Sequence, residues 1–272
     1  MSFGKARHLR RLFRDDGRPI IVVPIDDSLI SGPEGWLGRP AELFRTLIGT
    51  GAVDAILGFP GTFNRWADAV PPSTSLIVNL TASTIRGQHT RKIQSSTVND
   101  ALRVGADLAA VHVNLGSKHE ANMLAVLGRV ASECDAVGLP LVAIMYLRGE
   151  RENGDDDNYE VLRDSDEEGY ARLVRHVVRV GIDLGADIIK APFTGSIESF
   201  RTVIEAAEPV PVLVAGGPLQ AAKQSLLIAQ QAIQAGAAGV SFGRNVYARD
   251  DPGSFIESLA SVVRGGADPD DA

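Results

Sequence analysis

A chain of 272 residues, 44% of them hydrophobic, can bury a full core and is long enough for one α/β barrel or two smaller domains. Its 34 acidic against 27 basic side chains give a net charge of −7, which argues against nucleic acid or an anionic membrane as partner. The single cysteine, Cys134, excludes an intramolecular disulfide and fits a reducing cytoplasm. Residues 1–17 set Lys5, Arg7, Arg10, Arg11 and Arg14 among Phe3, Leu9, Leu12 and Phe13, without the apolar centre of a secretory signal. That pattern predicts a short amphipathic helix capping one end of the fold. Eight short apolar segments follow, at 19–25, 53–59, 75–80, 107–113, 139–146, 186–191, 210–217 and 238–243. Most are too continuously apolar for strands with one wet face and read as strands covered on both sides. Between them, 99–106, 168–186 and 223–237 read as helices, and Cys134, among Val130, Ala131 and Val137, as a helix core position. No run approaches the ~20 apolar residues of a membrane span. The tail 264–272, RGGADPDDA, is predicted to fray.

One piece of punctuation recurs: TGAVDAI, VGADLAAV, LGADIIK and AGAAGVSF. In each, a glycine stops a helix in the left-handed cap position and the chain turns directly into a strand. Repeated βα units without a Pro/Ser-rich linker predict a single TIM (β/α)8 barrel over 1–272. An open doubly wound sheet is the alternative, but the first strand lacks GxGxxG and is followed by DDSLISGP.

In such a barrel the C-terminal strand ends carry chemistry, and the opposite rim carries stability. Those ends read Asp26 and Asp27, Gly58, Asn79, His112 and Asn114, Tyr146, Lys190, Gly216 and Gly217, then Gly243 and Arg244. In GADIIKAPFTG, 185–195, Lys190 closes an apolar strand with no acidic residue close behind it, so its amine is aimed into the barrel mouth. Desolvation, helped by Arg148 or Arg244, favours a neutral amine, which attacks a carbonyl and leaves a protonated imine as electron sink. An ion pair with Asp26 that plugs the barrel is the competing reading. Asp26 is placed to shuttle protons, and Tyr146, on the adjacent strand, to act as acid/base at a substrate hydroxyl; a half-buried structural aromatic is the alternative for the tyrosine. VAGGP (214–218) and FGRN (242–245) end strands seven and eight, where barrels grip phosphate through backbone N–H groups. Gly216, Gly217, Gly243 and Arg244 are therefore phosphate candidates, unless the glycines only make tight turns. His112, with Asn114, reads equally as a substrate contact or a hydrogen-bonded layer residue. The histidines His8, His89, His112, His119 and His176 show no compact ligand spacing, so neither metal nor cofactor is expected. No serine sits in a GxSxG elbow.

VVPIDDSLISGP, HVNLGS, MYLRG, GADIIKAPFTG, VAGGP and VSFGRN together resemble the archaeal-type class I aldolases, in order across roughly residues 5–260. That group spans fructose-bisphosphate aldolase, 2-amino-3,7-dideoxy-D-threo-hept-6-ulosonate synthase and relatives that join dihydroxyacetone phosphate to aspartate semialdehyde. The resemblance implies a cytoplasmic, homo-oligomeric, metal-independent lyase acting on a phosphorylated small molecule. Lys190 would form the Schiff base, Asp26 shuttle protons, Tyr146 serve the aldol step, and Gly216, Gly217, Gly243 and Arg244 hold the donor phosphate. Asp27, His112 and Arg148 would be further substrate contacts. A transaldolase-like use of the lysine, a phosphate-binding isomerase and a non-catalytic phosphosugar sensor are the rival functions. Two departures stand out: Asp26-Asp27 replaces the usual Asp-His or Asp-Gln, and the segment 148–169 is longer and more acidic. The segment is expected to be a solvated loop on the active-site face. Its carboxylates would repel a second phosphate and favour an acceptor with an amine, such as aspartate semialdehyde.

Overall fold

Short blocks rich in β-branched and aliphatic residues favour pleated, doubly covered strands, and here all eight apolar segments form one. The computed structural model describes residues 2–14 and 16–271; Met1 and Asp15 of the expected cap and Ala272 of the expected tail lie outside them. The strands are β1 Ile20–Pro24, β2 Ala55–Gly58, β3 Ser75–Asn79, β4 Leu108–Leu115, β5 Leu141–Leu147, β6 Ile188–Pro192, β7 Val212–Ala215 and β8 Gly239–Ser241. All neighbours pair in parallel, and β1 closes on β8 through the register Ile20↔Gly239, so the expected (β/α)8 barrel is the fold observed. The four punctuating glycines, Gly51, Gly105, Gly185 and Gly236, take φ of +65°, +75°, +100° and +107°, a region side chains with a Cβ rarely enter.

Side chains alternate across each strand with a period of two. Ile20, Val22, Leu108, Ala110, Val142, Ile144 and Ile188 fill the barrel interior as one cluster. Their neighbours Ile21, Val23, Ala109, Val111, Leu141, Ala143 and Ile189 pack outward in the larger cluster shared with the helices. The same alternation carries one position further to the functional residues. Lys190 follows Ile188 by one period, Tyr146 follows Ile144 and His112 follows Ala110, so all three face inward above the apolar layers.

The N-terminal helix Phe3–Phe13 closes the rim opposite the site. Its Leu12, 1% exposed, joins the interior cluster, with Leu9 and Phe13 against it. The repeated glycine motif supplies the docking points. Asp54, Asp107 and Asp187 each accept a bond from the first residues of a neighbouring strand: Ile21 N at 2.8 Å, Leu76 N at 3.0 Å and Leu141 N at 2.8 Å. Each also takes a cation from the N-terminal segment: Arg18 at 2.7 Å, Arg11 at 3.0 Å and Lys5 at 2.9 Å. The helix Pro252–Gly265 runs two residues into the stretch expected to fray, because Arg264 is not free. Its guanidinium bonds Pro19 O at 3.1 Å, Ala52 O at 2.9 Å and the Asp54 carboxylate. Among the described residues, no helix is long and apolar enough to cross a membrane.

Lys5 is a sharp test of the plug. Burial pushes its amine down, but the Asp187 and Asp135 carboxylates outweigh that and hold its pKa above the usual value. The ammonium therefore favours folding at every pH below its unfolded pKa, and the contribution is lost as the pH rises through the higher folded one. Lys5→Met, which leaves the Asp187 carboxylate without its cation, is expected to cost about 3 kcal/mol near neutrality. Urea titration should show that deficit shrinking once the pH passes the ordinary lysine range, as the wild-type amine also loses its charge.

Candidate active site

At the C-terminal strand ends lies a cavity of about 370 Å3 whose lining includes Asp26, Tyr146 and Lys190. β1 delivers Asp26 just beyond its last residue, β5 delivers Tyr146, and β6, paired between β5 and β7, delivers Lys190. Lys190 is 9% exposed, and among the described residues no carboxylate lies within 4 Å of its amine. The two groups attract, but the ion-paired plug is not what the barrel mouth contains. Burial raises the Asp26 pKa, outweighing the lowering by Lys190 and by a hydrogen bond from Asn79. Asn79 donates Nδ2 to Asp26 Oδ2 at 2.8 Å, and its own Oδ1 is fixed by Thr81 N at 3.0 Å. The strand-end asparagine thus aims the carboxyl.

Asp27, expected as a further substrate contact, lines the cavity and is also tied to its neighbours. Tyr247 donates its hydroxyl to Oδ2 at 2.6 Å, Ser31 binds Oδ1 at 3.0 Å and Arg244 approaches to 3.9 Å. The second aspartate therefore ties the loop after β1 to the turn after β8. Gly216, Gly217, Gly243 and Arg244 all line the cavity. Gly217 needs its φ of +67°, and a Cβ on Gly216 would lie 2.9 Å from Phe242. No protein acceptor is found among the described residues for the amides of Gly217 and Gly243. Ser241 Oγ, buried beside them in the cavity wall, also has no partner among the described residues. This patch presents donors to an anion without a side-chain barrier in front of them.

His112 is buried and lines the cavity, with its ring centroid 5.2 Å from that of Tyr146. Asn114 gives Nδ2 to Thr90 O at 2.8 Å, so its Oδ1 accepts from His112 Nε2 at 3.0 Å. The imidazole thereby carries its proton on Nε2 and leaves Nδ1 as an acceptor. Burial, reinforced by Lys92 and Arg148, holds its pKa well below the ordinary value, so the ring stays neutral. Asn114 itself does not reach the cavity, nor does Gly58, where a Cβ would lie 3.3 Å from both Ile25 and Phe63. Cys134 is buried in the helix Glu120–Val137, its thiol pushed up to about 12 by burial, which suits a packing residue.

The segment 148–169 is not the solvated loop expected. Gly149–Glu150 pairs antiparallel with Asp156–Asp157, and the helix Glu160–Ser165 follows. Glu150 anchors this flap on Thr90 Oγ1 at 2.5 Å, Ser117 Oγ at 3.0 Å and Lys118 N at 3.1 Å. Only part of the acidic stretch stays in solvent; Asp156, Asn158, Glu160 and Arg163 wall the cavity. Sequence reasoning also missed His89 and Lys92, which sit on the excursion between β3 and β4. Lys92 is 3% exposed, donates to Ser83 Oγ at 2.6 Å and lies 3.4 Å from His89 Nδ1. Burial, with Arg148 nearby, lowers its pKa to about 7. Neither strand periodicity nor a motif marks RGQHTRK as part of a site.

Residues 20–249 match the model of the DeoC/LacD family aldolases. The chain belongs to that family. The aldolase is 37% identical over 266 residues to the 2-amino-4,5-dihydroxy-6-oxo-7-(phosphonooxy)heptanoate synthase of Streptomyces griseus, covering 96% of this chain and 90% of the relative. It is 36% identical over 273 residues to the 2-amino-3,7-dideoxy-D-threo-hept-6-ulosonate synthase of Halobacterium salinarum, covering 99% and 95%. A solved Schiff-base-forming fructose-1,6-bisphosphate aldolase superposes with a TM-score of 0.82 at 25% identity, covering 95% of this chain and 99% of that one. The aldolase is a class I, carbon–carbon bond enzyme of the archaeal type, as the sequence resemblance implied.

Proposed function

We propose that the aldolase condenses dihydroxyacetone phosphate, held as a Schiff base on Lys190, with aspartate semialdehyde. The observation that carries this reading is the meeting of Lys190, Asp26 and Tyr146 in one cavity beside open backbone amides at the ends of β7 and β8. The donor phosphate lies on Gly216, Gly217 and Gly243, with Arg244 at its edge, and a donor oxygen meets the Ser241 hydroxyl, which has no partner among the described residues. The Lys190 amine adds to the ketone carbon, and loss of water leaves an iminium. A proton leaves the adjacent hydroxymethyl carbon to give an enamine, with Asp26 shuttling protons at these steps. The enamine carbon bonds to the acceptor aldehyde, the new alkoxide takes a proton from Tyr146, and water releases the product and regenerates the amine.

Two arguments support this acceptor. The skeleton named for the Streptomyces griseus relative divides, by an aldol cut between its fourth and fifth carbons, into dihydroxyacetone phosphate and aspartate semialdehyde. Asp156 and Glu160 in the cavity wall disfavour the second phosphate that fructose 1,6-bisphosphate would bring. The test is borohydride reduction in the presence of dihydroxyacetone phosphate, read by intact mass and peptide mapping. The expected result is a stable adduct on Lys190 and, without reductant, a seven-carbon product when aspartate semialdehyde is added. Binding of the donor with no adduct would overturn the reading.

A further inference from the structure

The β5 side of the cavity holds two opposite charges that do not meet. Arg148, one residue past β5, donates Nε to Asn158 Oδ1 at 2.6 Å and a terminal nitrogen to His89 Nε2 at 2.9 Å. Its guanidinium carbon lies 5.1 Å from the Tyr146 ring centroid, so it stands beside the group assigned to the aldol step. Both of its partners are neutral. Because Nε2 accepts, His89 carries its proton on Nδ1, and burial together with Lys92 and Arg148 holds its pKa at about 3. Among the described residues, no carboxylate comes within 4 Å of Arg148, although the side chain is half-buried. Three of its five N–H donors remain for a ligand. Asp156, half-buried on the flap strand, lines the same cavity and likewise has no cation within 4 Å and no hydrogen bond to its carboxylate among the described residues. Arginine and aspartate thus line one space without forming an ion pair, the arginine clamped by His89 and Asn158 and the aspartate carried on the flap ribbon. Charges withdrawn from water without a partner are costly, and a ligand carrying both signs relieves both.

We infer that Arg148 and Asp156 form a zwitterion-reading acceptor subsite, in which Arg148 takes the carboxylate and Asp156 the ammonium group of an α-amino-acid aldehyde. His89 and Asn158 are positioning residues: they turn the guanidinium fork toward the cavity without competing for the anion. The inference rests on the aldol reading above and adds the residues that select its acceptor. A phosphorylated aldehyde is rejected here because its doubly charged group meets Asp156 and Glu160 along with Arg148.

Three aldehydes separate the two contacts: aspartate semialdehyde, succinate semialdehyde without the amine, and 3-aminopropanal without the carboxylate. Wild-type enzyme should prefer the first to both analogues and to glyceraldehyde 3-phosphate. Arg148→Gln is expected to lower the preference for aspartate semialdehyde over 3-aminopropanal by ~10–100-fold in kcat/KM, and Asp156→Asn its preference over succinate semialdehyde by a similar factor. Equal losses toward all aldehydes, unchanged ratios, or a wild-type preference for glyceraldehyde 3-phosphate would overturn the subsite. Borohydride trapping of the donor keeps the two levels apart. An adduct without acceptor discrimination defeats only the subsite, whereas no adduct on wild-type protein defeats the aldol reading beneath it.

Discussion

Lys190→Met is expected to abolish turnover, with kcat at least ~10⁴-fold below wild type, while the barrel melts as before. The size of the effect follows from covalent catalysis: without the amine there is no iminium, and the bare ketone is too weak an electron sink to release its neighbouring proton. The stability half of the expectation comes from packing. Methionine is close in length, and its thioether sits above Ile188 and Ile144 without stranding a close ion-pair partner, because no carboxylate lies within 4 Å of the lysine among the described residues. Steady-state assay, thermal melting by circular dichroism and adduct mass on the same preparation measure all three quantities. An adduct that survives in the variant would move the nucleophile to Lys92, a buried amine behind His89 whose pKa near 7 makes it the competitor that must be excluded.

What could be read from sequence, and what could not, divides along a physical line. Strands were legible because burial on both faces writes continuous apolar blocks, and helix ends because glycine takes positive φ at Gly51, Gly105, Gly185 and Gly236. Residues carried on strands inherit that legibility. Once Ile188 is known to face inward, the period of two points Lys190 inward as well, and the same holds for Tyr146 and His112. Residues on excursions do not inherit it. His89 reaches the site, with Lys92 behind it, through a two-residue ribbon, Thr81–Ala82 with Ile93–Gln94, and Asp156 through another, both too short to leave a pattern. Asp54, Asp107 and Asp187 stood in plain view inside the repeat, but their cations come from the N-terminal segment, a pairing that local spacing does not encode. The partner of Asp27 was hidden for the same reason: the hydroxyl that bonds it belongs to Tyr247, 220 positions away.

Asp26→Asn is expected to lower kcat by ~10²–10⁴-fold and at the same time to stabilise the protein near neutral pH. Both effects arise from one cause. Burial raises the Asp26 pKa above the ordinary carboxylate value, so a proton binds the folded state more tightly than the unfolded one. Protonation therefore favours folding: that contribution is complete below the unfolded pKa near ~4 and is lost as the pH rises through the higher folded value. The barrel buries a carboxyl whose ionised form is disfavoured there, tolerated because a group that titrates above the ordinary carboxylate range can both take and return protons around the imine. Asparagine keeps the shape and can still accept from Asn79 Nδ2 through its carbonyl oxygen, but it has no proton to exchange. Denaturant titrations should show the variant more stable than wild type at about pH 8 and level with it at about pH 3.5, and the acid limb of its kcat profile should disappear. A stability gain of the same size at both pH values would mean that packing, not charge, is what the substitution relieves. Retained turnover would assign the proton traffic to another group, with the neutral imidazole of His112 next in line across the same cavity.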